Sequence, residues 1–397
     1  MPPTPENLYL AGTSGPPVPL GFVRDDDTVF LVARERSAAW PVAILRDGVA
    51  DLRWPGGGGR GEVELVSDPL ERSAVLTRFL DKYGAERFAR WYEHPARVLR
   101  VRLGTQAAAD GPGSERYYGW LSAEFDNVAA DYDRHITGNR MNRLLRDRSL
   151  AWLRPLFKRS PHLLEIGCGS GMETIPLLTE GHEIAAVDIS ERMLEVVRGK
   201  AKELGLSERL STHHVRARDL SALLPNFGPG AFDGAYSTYG ALNCEPDLTS
   251  LAPDLHALLA EDASFVAGVY NRWCLFEIVG YSLTFQWGRA LGRRRNPVPV
   301  GASRFCVDVY AHSAGDFERL MAPEFRPVRV EGVPVLLPPS DLTSYAEKFG
   351  RHFPLLARLD ARAGKLWPLN RLGDHFLMTF RRNGAVPSPS LAVLRPS

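Results

Sequence analysis

The sequence predicts an α/β protein, with a doubly wound, mainly parallel sheet preceded by a small, mainly-β module. Three observations predict it. From about Glu115 onward, β-branched apolar runs of strand length alternate with helical stretches, which implies parallel strands joined by crossover helices. One of these strands, Leu163–Ile166, runs directly into a glycine cluster and then a helix, the turn on which a βαβ unit is built. Before residue 104, short strand-like runs follow one another with few helices between them.

Bulk properties agree with a folded chain. At roughly 150 residues per domain, 397 residues suffice for two or three. Apolar residues make up 44% and charged residues 24%, so a core of ordinary size can form. Lys and Arg number 48 against 47 Asp and Glu, a net charge of +1, so no global field recruits nucleic acid. The cysteines (Cys168, Cys244, Cys274, Cys306) lie far apart with no CxxC pair, so neither a metal site nor a disulfide framework is expected. The start, MPPTPENLYL, lacks the basic and long apolar regions of a secretory signal. No stretch reads as a transmembrane segment, and a cytoplasmic location is expected.

The module over residues 1–103 reads as follows. Thr28–Arg34 (TVFLVAR) is a strand. Trp40–Leu45 and Val49–Trp54 flank Asp47-Gly48, a two-residue hairpin signal. Gly56–Gly59 reads as a loop and Glu62–Val66 as a strand. Asp68-Pro69-Leu70-Glu71 opens a helix with a capping acid, an early proline and Glu three residues after the cap. Val75, Phe79 and Tyr83 form its buried face, Gly84 ends it, and Ala96–Leu103 closes the module as a strand. Residues 104–114 read as a linker, 115–383 as the α/β domain, and 384–397 as a frayed Pro/Ser-rich tail.

The chemistry concentrates at His162–Gly171 (HLLEIGCGSG). Gly167, Gly169 and Gly171 form a tight turn that lets a ligand approach the backbone, and a helix starts near Met172. The next strand, Glu183–Val187, ends at Asp188, 21 residues after Gly167. That separation returns a carboxylate to the same sheet edge, where it can accept hydrogen bonds from ribose hydroxyls. Met172 stands where a dinucleotide fingerprint needs its third glycine, and no GK[ST] follows, so a pyrophosphate is not the expected ligand. Glu165, just before the loop, repels phosphate and suits an ammonium- or sulfonium-bearing ligand.

The pattern E-x-G-x-G-x-G followed by V-D-x-S resembles class I S-adenosylmethionine-dependent methyltransferases, over roughly Phe125 to Arg381. The resemblance implies a seven-stranded Rossmann-like sheet. Its further strands would be Ser211–Ala217, Ala231–Ser237, Ala263–Tyr270, Phe325–Val330 and Phe376–Arg381, the last two being an antiparallel pair. It implies S-adenosylmethionine as cofactor, held by Tyr132, Glu165, Gly167, Cys168, Gly169, Gly171, Met172, Asp188, Ile189, Met193, Asp219, Leu220, Ser237 and Thr238. Asp219 would meet the adenine amine. Tyr132, on lid helices at 125–132 and 139–156, would lie against the methionine part. Insertions near 271–312 and 338–374 would select the acceptor, a small and possibly apolar molecule of secondary metabolism.

Transfer to a nucleophile mainly requires alignment and exclusion of water, with a base needed only where a proton must leave. Tyr239, Asn243 and His375 are the candidate catalytic groups, with His213, His214 and Cys168 weaker ones. Trp273–Trp287 followed by Arg289 and Arg293-Arg294-Arg295 reads as a packing or lid helix with a basic end, or as an apolar channel or membrane-surface contact. Residues Val29–Leu103 are similar to the split-barrel flavin- or deazaflavin-dependent nitroreductases. The short segment before them has no evident phosphate-binding cluster, so a retained fold serving dimerisation or covering the acceptor is favoured. A bifunctional or redox protein, or a non-catalytic cofactor-binding scaffold, is the alternative.

Overall fold

The computed structural model describes residues 8–11, 18–34, 40–54, 57–92, 95–104, 111–302 and 305–384. The chain divides into two compact units, Met1–Asn127 with Pro299–Asp308, and Val128–Val298 with Val309–Ser397.

In the first unit, β1 (Leu8–Ala11), β2 (Val18–Leu20), β3 (Phe22–Asp25), β4 (Thr28–Arg34), β5 (Val49–Trp54), β6 (Gly57–Leu65) and β7 (Pro95–Leu103) form one sheet. Its order is β2-β1-β5-β6-β7-β4-β3, and each neighbouring pair is antiparallel. Alternation in β4 buries both faces. Val29, Leu31 and Ala33 pack with Trp40 and Ile44, while Phe30 and Val32 pack with Val75, Phe79 and Tyr83 of the helix Pro69–Tyr83. That helix starts as its sequence signals, with the Asp68 side chain accepting the Glu71 N–H.

Two local readings are corrected. Trp40–Asp47 is a helix, not the first arm of a hairpin. Gly48, at φ +67°, is the left-handed residue that follows a helix, and Trp40 and Ile44, four apart, bury its apolar side. Gly57, Gly58 and Gly59 belong to β6 rather than to a loop. A side chain on Gly58 would stand 2.8 Å from the Leu52 carbonyl oxygen across the sheet, so close strand approach explains the glycine there.

The expected boundary at 104–114 does not coincide with the division into units, since the helix Glu115–Val128 groups almost entirely with the first. Arg97 on β7 and Glu124 on that helix form a buried bidentate pair at 2.5 and 2.6 Å. Residues 105–110 and the tail from 385 lie outside the described residues.

The second unit is built on β8 (His162–Ile166), β9 (Glu183–Asp188), β10 (Leu210–His214), β11 (Phe232–Ser237) and β12 (Leu259–Tyr270). A two-stranded ribbon, β13 (Val298–Ala302) and β14 (Phe305–Val309), interrupts the run and belongs largely to the first unit. The large sheet is completed by β15 (Phe325–Val333) and β16 (His375–Arg382), in the order β10-β9-β8-β11-β12-β16-β15. The first five strands are parallel, and β16 runs antiparallel to both its neighbours. Leu164, Ile166, Val187, Phe265 and Phe380 fill one face of the sheet, and Leu163, Ala186, Tyr236 and Val266 the other. The crossover after the glycines is shorter than expected, a helix only over Thr174–Thr179. β10 stops at His214 rather than at residue 217, where the Val215 N–H turns to the Asp188 carbonyl. The apolar run 273–287 is a helix over Leu275–Leu283 that breaks before a short one at Trp287–Ala290. Among the described residues, no helix is long and apolar enough to cross a membrane.

Candidate functional site

Parallel strands aim their carboxyl ends at one edge, so the tips of β8, β9 and β11 bring the residues singled out from sequence together. Gly167, Gly169 and Gly171 take φ of +70°, +51° and +81°. They need this freedom for different reasons. A Cβ on Gly167 would collide with Ala241, and one on Gly171 with Val197, so both are packing glycines. A Cβ on Gly169 would meet nothing nearer than Tyr132 Cε1 at 4.0 Å, so this residue faces open space.

Asp188 is tied to the loop itself. Its Oδ2 accepts the Gly169 N–H at 2.7 Å and its Oδ1 accepts that of Ser190 at 2.9 Å. Burial pushes its carboxyl up to about 6, against these backbone bonds. The two oxygens together keep acceptor capacity for a further donor. Ile189 follows, and Met193 is buried one turn into the next helix, which Ser190 caps. Tyr132 opens the helix Tyr132–Gly138, and its neighbour Asp133 takes a hydrogen bond from the Ser170 hydroxyl and an ion pair from Lys200.

Glu165 is buried beneath the loop. Its Oε2 accepts the Thr174 hydroxyl at 2.5 Å and the Tyr236 phenol at 2.9 Å. Burial, then the nearby Glu173 charge, pushes its carboxyl up to about 8. Cys168 is also buried, and burial raises its thiol well above the ordinary range, which leaves it a packing residue rather than a nucleophile. Met172 is half-buried. Leu220 lies wholly in the core, so only its backbone can face a ligand. Asp219 is partly exposed and flanked by Arg216 and Arg218.

At the tip of β11, Ser237 donates to the Ile166 carbonyl at 2.8 Å and Thr238 is buried. Tyr239 then takes φ +58°, a costly backbone for a bulky side chain. Its phenol donates to Asn142 and its ring stacks on His375 at 5.9 Å. Burial raises that phenol far above its ordinary range, so it cannot serve as a base near neutrality. Asn243 is fully engaged elsewhere. Its Oδ1 accepts the Tyr270 N–H at 2.7 Å, and its Nδ2 donates to the Tyr310 carbonyl at 2.7 Å and that of Tyr270 at 3.2 Å. It clamps backbone, with both amide hydrogens and one lone pair of Oδ1 committed to main-chain partners. His213 bonds Ser211 within its own strand, while His214, paired in register with Asp188, bonds the Ile189 carbonyl at the β9 tip.

His375 remains. Its Nδ1 lies 3.1 Å from Asp374 Oδ2. Burial works against the Asp374 charge, but Arg293 and then His375 outweigh it and hold that carboxyl down at about 2. An ionised acceptor requires the proton on Nδ1, which leaves Nε2 as the basic nitrogen. Arg293 bridges Asp374 (2.6 Å) and Glu277 (2.5 and 2.8 Å) in a buried network. Cys274, Glu277 and Asp374 lie near enough to suggest a metal site, but the guanidinium already supplies the positive charge between the two carboxylates.

Sequence reasoning missed a further pair. Arg146, on the helix Arg140–Phe157, pairs with Glu173 just after the loop, and its guanidinium carbon stands 4.1 Å over the Tyr239 ring. Both groups are nearly inaccessible, yet Arg146 Nε and Glu173 Oε1 have no hydrogen-bond partner. A buried orphan donor and a buried orphan acceptor on one ion pair are costly unless a ligand meets them. No local pattern flags a pair separated by 27 residues.

Residues 163–262 match the methyltransferase domain family. This stretch is a methyltransferase domain. The methyl donor of this domain class is S-adenosylmethionine. Over 154 residues the chain is 30% identical to a demethylmenaquinone methyltransferase of Bacteroides fragilis, covering 38% of this chain and 58% of that protein. It is 28% identical to the tRNA 5-carboxymethoxyuridine methyltransferase of Escherichia coli, over 25% of this chain and 40% of that one. The chain therefore spans only about 40–60% of the length of these curated relatives. Among solved structures, it is similar to a Burkholderia thailandensis 1,6-didemethyltoxoflavin-N1-methyltransferase with bound S-adenosylhomocysteine. That similarity has a TM-score of 0.44 and 18% identity, over 72% of this chain and 96% of that one. The matched stretch thus begins at the glycine loop's own strand and ends within β12.

Proposed function

We propose that the second unit transfers the methyl group of S-adenosylmethionine to a small-molecule acceptor. The observation that carries this reading is the open side of Gly169 next to the Asp188 carboxylate, within a segment that matches the methyltransferase domain family. The residues suit the cofactor. Asp188 would accept the ribose hydroxyls, and Asp219 would face the adenine. The orphan Arg146 Nε and Glu173 Oε1 match the carboxylate and ammonium of an amino-acid tail. When bound, the cofactor supplies an electrophilic sulfonium methyl.

The chain's own work is then orientation and proton handling. Tyr239 and His375, stacked beside the tip of β11, would face the acceptor. His375 Nε2 would take a proton from the acceptor, with Asp374 fixing the ring's tautomer and orientation. Glu165, held under the loop by Thr174 and Tyr236, supports the glycine turn rather than touching the ligand.

Two measurements test this. Calorimetry with S-adenosylhomocysteine should give micromolar binding, and absence of heat overturns the reading. Labelled S-adenosylmethionine incubated with a cell extract should give a labelled small product; label found only in RNA or protein overturns the small-molecule part. For the first unit we propose a split-barrel-like module without a redox cofactor, supported by its antiparallel seven-stranded order. Titration with flavin or deazaflavin should show no binding.

A further inference from the structure

We propose that the tip of the 275–295 insertion docks on an anionic lipid surface. Fifteen large apolar side chains are strongly exposed among the described residues, and five of them fall between Val279 and Leu291. Single exposed apolar side chains are ordinary, but such crowding in one segment is not. Leu283 is 76% exposed, Phe285 83% and Trp287 60%. Val279 and Leu283, four apart, share one face of their helix.

The backbone holds this cluster outward. Phe285 takes φ +56°, a left-handed conformation that costs energy for a bulky residue. The Phe285 N–H donates to the Ser282 carbonyl and the Gln286 N–H to that of Tyr281, closing a tight turn. A strained aromatic that is also left in water loses twice, unless something else receives it.

Charge identifies the occupant. No Asp or Glu lies between Glu277 and Asp308, and Glu277 is already paired with the buried Arg293. Arg289, Arg294 and Arg295 are exposed within the same segment. Aromatic and aliphatic side chains bordered by cations suit the boundary between anionic headgroups and acyl chains. The net charge of +1 hides this local surplus, because the balancing acids lie elsewhere. The inference does not depend on the transfer reaction.

The full chain is sedimented with vesicles of phosphatidylcholine alone or mixed equally with phosphatidylglycerol. It should pellet with the mixed vesicles and stay in solution with the neutral ones. F285S/W287S should weaken the partition at least about tenfold. R289Q/R294Q/R295Q should weaken it similarly and abolish the release by ~0.5 M salt seen for the unaltered chain. Both variants should keep the parent's melting temperature and its S-adenosylhomocysteine affinity. The proposal is overturned if the unaltered chain ignores both vesicles, or if either variant binds as the parent does. It is equally overturned if the apolar variant instead breaks up a soluble dimer that ignores vesicles, since the surface would then meet a second copy.

Discussion

The carboxylate of Asp188 holds the N–H of Gly169 at 2.7 Å, so the acid at one strand tip braces the glycine turn at the next. Asp188 therefore shapes the loop besides offering lone pairs to a ligand. Asp188→Ala leaves the buried Ser190 N–H and the half-buried Gly169 N–H without acceptors, at a cost of ~1–3 kcal/mol at most for Ser190 and less for Gly169. Thermal unfolding should show a lower melting temperature, and calorimetry a loss of S-adenosylhomocysteine binding of tenfold or more. A variant that melts early but binds normally would reduce Asp188 to a strut.

The three glycines should separate in their effects. Gly171→Ala drives a methyl into Val197 in the core and should cost roughly 1–3 kcal/mol. Gly169→Ala meets only Tyr132 at 4.0 Å, so its stability cost should be confined to the left-handed backbone, ~1–2 kcal/mol. Yet Gly169→Ala should lose more ligand affinity for each degree of melting temperature lost. Denaturant unfolding and calorimetry on both variants decide this, and equal ratios would refute it.

Glu165 makes stability fall as pH rises. Its folded carboxyl titrates at about 8, above its ordinary value, so the folded state holds the proton more tightly. The stabilisation is complete below the ordinary carboxylate range and disappears as pH climbs through 8. The slope is at most roughly 1.4 kcal/mol per pH unit, with Asp188 adding to it only up to about 6. Glu165→Gln keeps an acceptor for Thr174 and Tyr236 and should flatten the fall between pH ~6 and ~8. Urea midpoints at several pH values would show it.

Much of this site was legible because its determinants are local. Strand, GxGxG, helix, strand and Asp188 are fixed by close sequence spacing and by the φ that only glycine takes readily. The helix at Trp40–Asp47 was not legible, since Asp47-Gly48 suits a hairpin as well as a helix end, and packing of Trp40 and Ile44 decides. The partners of Asn243 were not legible for a related reason. Its place on the loop after β11 suits catalysis, but its partners at Tyr270 and Tyr310 lie on distant segments. Arg146–Glu173 and Arg293–Asp374 are likewise long-range pairs that no local pattern encodes.

His375→Gln should lower methyl transfer into the extract-derived acceptor by ~10²–10⁴, while S-adenosylhomocysteine affinity stays within about threefold. Asp374 adds no pH limb near neutrality. Its carboxyl titrates at about 2, so its charge is lost only as pH falls toward that value. Unchanged turnover in His375→Gln would remove the ring from proton transfer.

In the first unit, Arg97→Leu should be among the most damaging single changes. It leaves the Glu124 carboxylate buried without its bidentate partner, at a cost of ~3–5 kcal/mol. Replacing both residues by leucine removes the stranded charge and should recover most of that loss. Recovery should stop short of complete, because the Cys306 N–H also donates to Glu124 at 3.2 Å and would be left without this acceptor. A double-mutant cycle on urea unfolding measures the coupling. A double variant no more stable than Arg97→Leu would mean that the pair acts through packing of its side-chain stems rather than through charge.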